Sequence, residues 1–291
     1  MTETIQIDCH GLTDVGRIRD ANEDQFLIAE LGKSMLVRQT TLALDHEHQL
    51  FGCTQGHLFL VADGIGGYAA GGRASSIATG AVAHYVLNTM PWFFRLDEKH
   101  EDDLREELKS AVEQCETMIR ADAEGRFDRQ GMGTTLTMAY VLWPRLYLVH
   151  VGDSRGYLLR KTELRRLTRD HTVAQELMEA GAIDSAEVES SRWSHVLCSA
   201  IGGRSSELNP EVYKISLEVG DTVLLCTDGL TRHLADADVA SILKEDHSAE
   251  GACLDLIEAA NRAGGSDNIT VVVAKFVGGA PAPPTSAAPA A

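Results

Sequence analysis

The chain contains no CxxC pair, no apolar run long enough to cross a bilayer and no internal repeat. Its six cysteines, Cys9, Cys53, Cys115, Cys198, Cys226 and Cys253, are scattered, and several sit in apolar runs such as Leu224-Leu225-Cys226. They read as small core residues of a reducing compartment, not as a disulfide framework or a zinc site. Positive charge is also scarce, with 26 Lys and Arg against 43 Asp and Glu and a formal charge of −17. That balance argues against nucleic acid or an anionic membrane as the main partner, since both attract cationic surfaces. Met1-Thr2-Glu3-Thr4-Ile5 has neither the basic nor the apolar region of a signal peptide, so a soluble, cytoplasmic protein is expected.

An apolar content of 44% can supply a sizeable core, for one large domain or two small ones. Its densest short run is Leu58-Phe59-Leu60-Val61-Ala62, which leads into Asp63-Gly64-Ile65-Gly66-Gly67. Five apolar residues bounded by a turn predict a strand buried on both faces. A carboxylate ending such a strand is costly unless it is paired or holds a metal, and the glycines let backbone approach whatever it holds. Alone, Asp63 would read as a turn-starting aspartate.

The pattern recurs. Val149-His150-Val151-Gly152-Asp153-Ser154-Arg155 and Leu224-Leu225-Cys226-Thr227-Asp228-Gly229 each bring an acid and a glycine to a strand end. Gly264-Gly265-Ser266-Asp267-Asn268 places another acid just before a strand, and Arg19-Asp20-Ala21-Asn22-Glu23-Asp24 adds a cluster that includes a cation. Converging carboxylates repel one another, and hard cations relieve the repulsion. An all-oxygen set suits Mg²⁺ or Mn²⁺, whereas zinc would want His or Cys. Two such ions can activate a shared water for in-line attack on phosphorus, and an arginine fork, with Arg19 the candidate, can hold the phosphoryl oxygens.

Around these motifs, helical spacing predicts helices over 71–89, 101–125, 173–180, 236–244 and 249–263. Strands are expected near 5–7, 25–29, 58–62, 132–142, 145–150, 212–217, 222–226 and 268–276, with 155–160 and 164–167 continuing the 132–150 hairpin. Residues 32–57 read as two edge strands and a turn. The polar segment 182–210 suggests a mobile flap. The Gly/Ala/Pro-rich tail 278–291 is expected to be disordered. Strands, a helix pair, more strands, a second helix pair and a last strand fit an α+β fold with a two-layer β core covered by helices.

Six motifs in order then carry a resemblance. Arg19-x-x-Asn22-Glu23-Asp24, Asp63-Gly64-x-Gly66-Gly67, Gly131-Met132-Gly133-Thr134-Thr135, Gly152-Asp153-Ser154-Arg155, Asp228-Gly229-Leu230 and Ser266-Asp267-Asn268 resemble those of the bacterial PPM (type 2C) metal-dependent protein phosphatases, over roughly residues 8–276. The resemblance implies a four-layer α-β-β-α sandwich of two antiparallel sheets flanked by helix pairs. The phosphatase domain would span 1–277, with a flap at about 172–205. It implies that Asp63 bridges two Mn²⁺ or Mg²⁺ ions and that the Gly64 carbonyl ligates one of them. Asp228 and Asp267 would hold the first ion, Glu23 and Asp24 would serve the second, and Asp153 with Asp228 would hold a third, weaker one. Arg19 would bind substrate phosphate. Phosphoserine and phosphothreonine proteins would be substrates, a Ser/Thr kinase a natural partner, and a monomer is expected. Ile65 stands where eukaryotic relatives carry a histidine proposed as general acid. A catalytically silent binding module would lack one of the metal acids, which are present; a small phosphate-ester hydrolase would share the same motifs.

Other residues read plainly. His171 is expected at a helix cap or turn, with an active-site-edge role as the alternative. Thr134, Thr135 and Ser154 read as backbone-bonding strand residues, not nucleophiles. His46, His48 and His57 read as surface histidines, residues 97–107 as a solvated helix face, and Trp92-Phe93-Phe94 as packing at a helix end.

Overall fold

The computed structural model describes residues 5–36, 49–66, 69–90, 98–188, 191–203, 208–245 and 247–278. In chain order the elements are β1 (Ile5–Asp14), β2 (Gln25–Leu36), β3 (Gln49–Ala62), β4 (Gly64–Ile65), α1 (Ala69–Asn88), α2 (Glu98–Ala123), β5 (Gly133–Thr134), β6 (Leu136–Leu142) and β7 (Arg145–Val151). There follow β8 (Arg155–Arg160), β9 (Glu163–Arg166), α3 (Val173–Glu179), β10 (Ile201–Gly202), β11 (Glu211–Ser216), β12 (Thr222–Cys226), α4 (Asp228–Thr231), α5 (Asp236–Leu243), α6 (Ala249–Arg262) and β13 (Ile269–Gly278).

Two five-stranded antiparallel sheets form the centre, ordered β1-β13-β12-β8-β9 and β11-β7-β6-β3-β2. The alternation of strand side chains explains the layering. In β3, Leu58, Leu60 and Ala62 face α1 and α2, where they meet Ala74, Ala78, Leu104, Leu108 and Cys115. Phe59 and Val61 face the other way and meet Leu225, Val272 and Phe276 of the opposite sheet. The first sheet buries its outer face, including Leu224 and Val273, under Val239 and Leu243 of α5 and Leu256 of α6. The result is the four-layer α-β-β-α sandwich. The five residues Leu58–Ala62 are at most 1% exposed, so the doubly buried strand expected there is present. Truncating Phe59 in this layer should cost about 3–5 kcal/mol.

Several expectations need correction. Residues 155–160 and 164–167 do not continue the β6–β7 hairpin: β8 pairs with β12 in the other sheet, and β9 pairs with β8. Gly152, at φ +109°, makes the turn that carries the chain across. A Cβ there would lie 2.5 Å from Thr135 Cγ2, so only glycine fits without strain. Within 32–57, β2 is an edge strand but β3 is one continuous strand lying between β2 and β6. Nor is the acidic face of α2 simply solvated, because Glu101 accepts hydrogen bonds from Tyr147 Oη and Lys214 Nζ.

His57 is half-buried on β3, stacked with Phe59, and burial lowers its pKa, so it is not a surface residue. His46, His48, residues 92–94 and the tail beyond Gly278 lie outside the described residues.

Candidate metal centre

The acids converge where the chain passes between the two sheets. The loop from β1 to β2 carries Arg19, Glu23 and Asp24, and it is clamped by Asn268. The Asn268 side chain accepts the Glu23 N–H at 2.9 Å and donates to the carbonyls of Val15 and Ala21, each at 2.9 Å. Gly16, at φ +78°, lets this loop lie against the Asp267 backbone, where a Cβ would come within 2.2 Å of the Asp267 carbonyl oxygen. Asn22 Oδ1 accepts the Asp24 N–H at 3.0 Å, an Asx turn that aims Asp24 inward.

Asp63 follows β3 directly. Its N–H donates to Thr135 Oγ1 (3.0 Å), and its carbonyl accepts from the Thr135 N–H (2.9 Å) and from Thr134 Oγ1 (2.8 Å). Thr135 also shares a buried 2.7 Å hydrogen bond with Ser154. These hydroxyls therefore fix backbone at the strand end, as the sequence reading expects. Gly64 is packed so closely that a Cβ would fall 2.4 Å from Gly71, which explains the glycine beside the acid.

Arg19, Glu23, Asp63, Gly64 and Asp153 line one cavity together with Asp228 and Asp267. Asp24 lies beneath it, 3% exposed, with Oδ2 accepting hydrogen bonds from Thr227 Oγ1 (2.8 Å) and Thr270 Oγ1 (2.7 Å). Burial, reinforced by Asp228 and Asp267, pushes the Asp24 carboxyl up to about 7 despite those two donors. Burial likewise raises Asp63 and Asp153 well above the ordinary carboxylate range, with neighbouring acids adding to it. Asp228 is raised by burial against the pull of Arg232.

Two arginines partly compensate. Arg19 forks onto Asp267, with Nε–Oδ1 at 2.8 Å and Nη2–Oδ2 at 2.9 Å. Arg232 Nη1 meets Asp267 Oδ2 at 2.9 Å, and its Nη2 donates to Asp228 Oδ2. Even so, Glu23 Oε1, Asp24 Oδ1 and Asp228 Oδ1 are buried and accept no hydrogen bond. Buried carboxylate oxygens left without donors are costly, and three of them in one site, two on the cavity wall and one beneath it, fit an oxygen-coordinated divalent cation.

Sequence reasoning missed Arg232 and His195. Arg232 stands four residues after Asp228 on the same helical turn, a spacing that could have flagged it. His195 lines the cavity from the return segment after α3, and its placement by tertiary contact leaves no local pattern. Burial, then Arg232, lowers its pKa. His171 proves to be neither a cap nor on the cavity wall. Thr172 caps α3, while buried His171 accepts the Gly152 N–H on Nδ1 at 3.2 Å and so braces the turn before Asp153.

A β-sandwich whose facing sheets meet in a cluster of acids with unpartnered buried oxygens is a scaffold suited to hold hard divalent cations. The family profile of Protein phosphatase 2C matches residues 38–254, and the chain belongs to that family. It is similar to the serine/threonine protein phosphatase PstP of Mycobacterium tuberculosis, 40% identical over 220 residues, which cover 76% of this chain and 40% of that protein. The chain therefore aligns with less than half the length of that relative. It is also 32% identical over 261 residues to the serine/threonine phosphatase stp of Listeria welshimeri, covering 90% of this chain and 92% of the relative. Among solved structures, the catalytic domain of PstP in complex with two manganese ions superposes with a TM-score of 0.73 at 33% identity, covering 94% of this chain and all of that one.

Proposed function

We propose that this chain is a metal-dependent phosphatase of phosphoserine and phosphothreonine proteins. The observation that carries the reading is the set of buried, donorless oxygens on Glu23, Asp24 and Asp228, with Glu23 and Asp228 on the wall of one cavity beside Asp63 and Arg19 and Asp24 beneath it. Asp63, Asp228 and Asp267 would hold one Mn²⁺ or Mg²⁺ ion, and the Gly64 carbonyl would ligate one of the two ions that Asp63 shares. Asp63 with Glu23 and Asp24 would hold a second, and Asp153 with Asp228 a third. Bound there, such ions lower the pKa of water and neutralise charge on phosphoryl oxygens.

The protein's own contributions follow from its contacts. Arg19 is half-exposed, so its guanidinium can turn from Asp267 to the oxygens of an incoming phosphoryl group. Thr134 and Thr135 keep Asp63 at a fixed height at the end of β3. Asn268 keeps the β1–β2 loop, and with it Glu23, against the Asp267 strand end. The manganese of the PstP catalytic domain and the phosphatase names of the relatives support the same reading. Among the described residues no helix is long and apolar enough to cross a membrane.

The test is phosphate release from a phosphothreonine peptide with Mn²⁺, with EDTA as the blank. Turnover that appears with the ion and vanishes with chelator is expected. A folded chain inert under Mn²⁺ and Mg²⁺ overturns the reading in favour of a binding module.

A further inference from the structure

Hydrolysis of a seryl or threonyl phosphate expels an alkoxide, a poor leaving group unless it is protonated as it departs. The cavity wall offers few donors for that proton. Ile65 has none. Arg19 and Arg232 are too weakly acidic and are engaged with carboxylates. Thr135 is bonded to Ser154, and Asn268 is committed to the loop carbonyls. His171 lies behind Gly152, and His233 is taken by Ser266 in the adjoining cavity. His195 is what remains, and its ring makes no hydrogen bond to a described residue.

Its placement is supported by backbone. Ala174 N–H donates to the Trp193 carbonyl (3.3 Å), Val173 N–H to Val196 (2.8 Å), and Cys198 N–H to the His171 carbonyl (2.9 Å). Thr172 and Leu197 form a β-bridge. The segment bearing His195 is thus pinned at four points to the start of α3. His195 belongs to the wall of the acid-lined cavity and also to that of a second cavity, lined by Arg155, Asp170, Ser194 and His233. With the phosphoryl group among the acids and the peptide in the second cavity, the ester oxygen falls at the rim the two share.

We propose, resting on the phosphatase reading above, that His195 is the proton donor to the leaving seryl or threonyl oxygen. The oxygen of water bonds to phosphorus, and the P–O ester bond breaks with its electron pair on the leaving oxygen. That oxygen takes the imidazolium proton to become the alcohol. Inorganic phosphate departs, and the neutral imidazole regains a proton from solvent.

The experiment compares wild type with His195→Gln and His195→Ala on a phosphothreonine peptide and on p-nitrophenyl phosphate, whose nitrophenolate departs without a proton. Mn²⁺ binding by calorimetry and the melting temperature of each variant are measured alongside. Expected is a fall of about 100-fold in kcat on the peptide, as removal of a general acid implies. On the nitrophenyl ester kcat should fall at most about threefold, with Mn²⁺ affinity and melting temperature kept. Equal losses on both esters, weakened Mn²⁺ binding or no loss on the peptide would each overturn the role of His195. A wild-type chain inert on both esters overturns the phosphatase reading instead, and the assignment with it.

Discussion

Thr270 Oγ1 donates a 2.7 Å hydrogen bond to Asp24 Oδ2, joining residues 246 positions apart at the floor of the site. The other oxygen of that carboxylate has no partner. Burial holds the acid at about 7 in the metal-free fold, against about 3.9 in an unfolded chain. Between those values the folded state binds more protons than the unfolded one, so stability falls as pH rises. Metal-free protein should therefore lose melting temperature from about pH 4 to about pH 7. Mn²⁺, which needs the ionised acids, should raise it far more at pH 8 than at pH 5. Scanning fluorimetry with and without Mn²⁺ checks both signs, and a flat metal-free profile would refute the assignment.

Asp63→Ala and Asp228→Ala should each abolish turnover while the protein stays folded. Burial and acidic neighbours raise both groups, so removing one also removes a repulsion. Metal-free Asp63→Asn should melt at or above wild type, whereas its Mn²⁺-induced stabilisation should shrink. Full turnover in either alanine variant would remove that residue from the metal set.

Arg19→Ala should chiefly raise KM. A charge-assisted pair contributes about 1.5–3 kcal/mol, so KM for a phosphopeptide should rise roughly 10- to 100-fold, with a smaller change in kcat. The contact of Arg19 with Asp267 makes the control Mn²⁺ titration necessary, since a change in metal affinity would point to a different role.

Arg232 lies between Asp228 and Asp267 and must give way or share when a cation arrives. Arg232→Ala should tighten Mn²⁺ binding by about tenfold, roughly 1.4 kcal/mol, and lower the melting temperature of the metal-free protein. Calorimetry showing weaker binding in the variant would mean that the guanidinium organises the acids instead of competing for them.

Much of this was legible in the sequence because it is written locally. Leu58–Ala62 is apolar at every position, so its double burial needed no partner to be inferred, and the helices announced themselves by spacing. The acids were legible because each repeats the same arrangement of strand end, carboxylate and glycine. Sheet membership was not, since the pairing of β8 with β12 depends on a positive φ at Gly152, a conformation that glycine permits without requiring. His195 was equally hidden, because the contacts that place it run between its segment and the start of α3. The second role of Glu101, docked on Tyr147 and Lys214, depended on strands more than 40 residues away.

The site draws on both sheets. Asp63 ends a strand of one, Asp228 and Asp267 flank strands of the other, and Glu23, Asp24 and Asp153 ride the segments that pass between them. The spacing among these oxygens is thus a gauge of how one sheet is seated on the other. A small slip in the apolar middle layer, at Phe59 or Phe276, would be felt as a misfit among the acids. Substitutions there, remote from any substrate, should register first as a change in metal affinity, before the fold itself is visibly weakened.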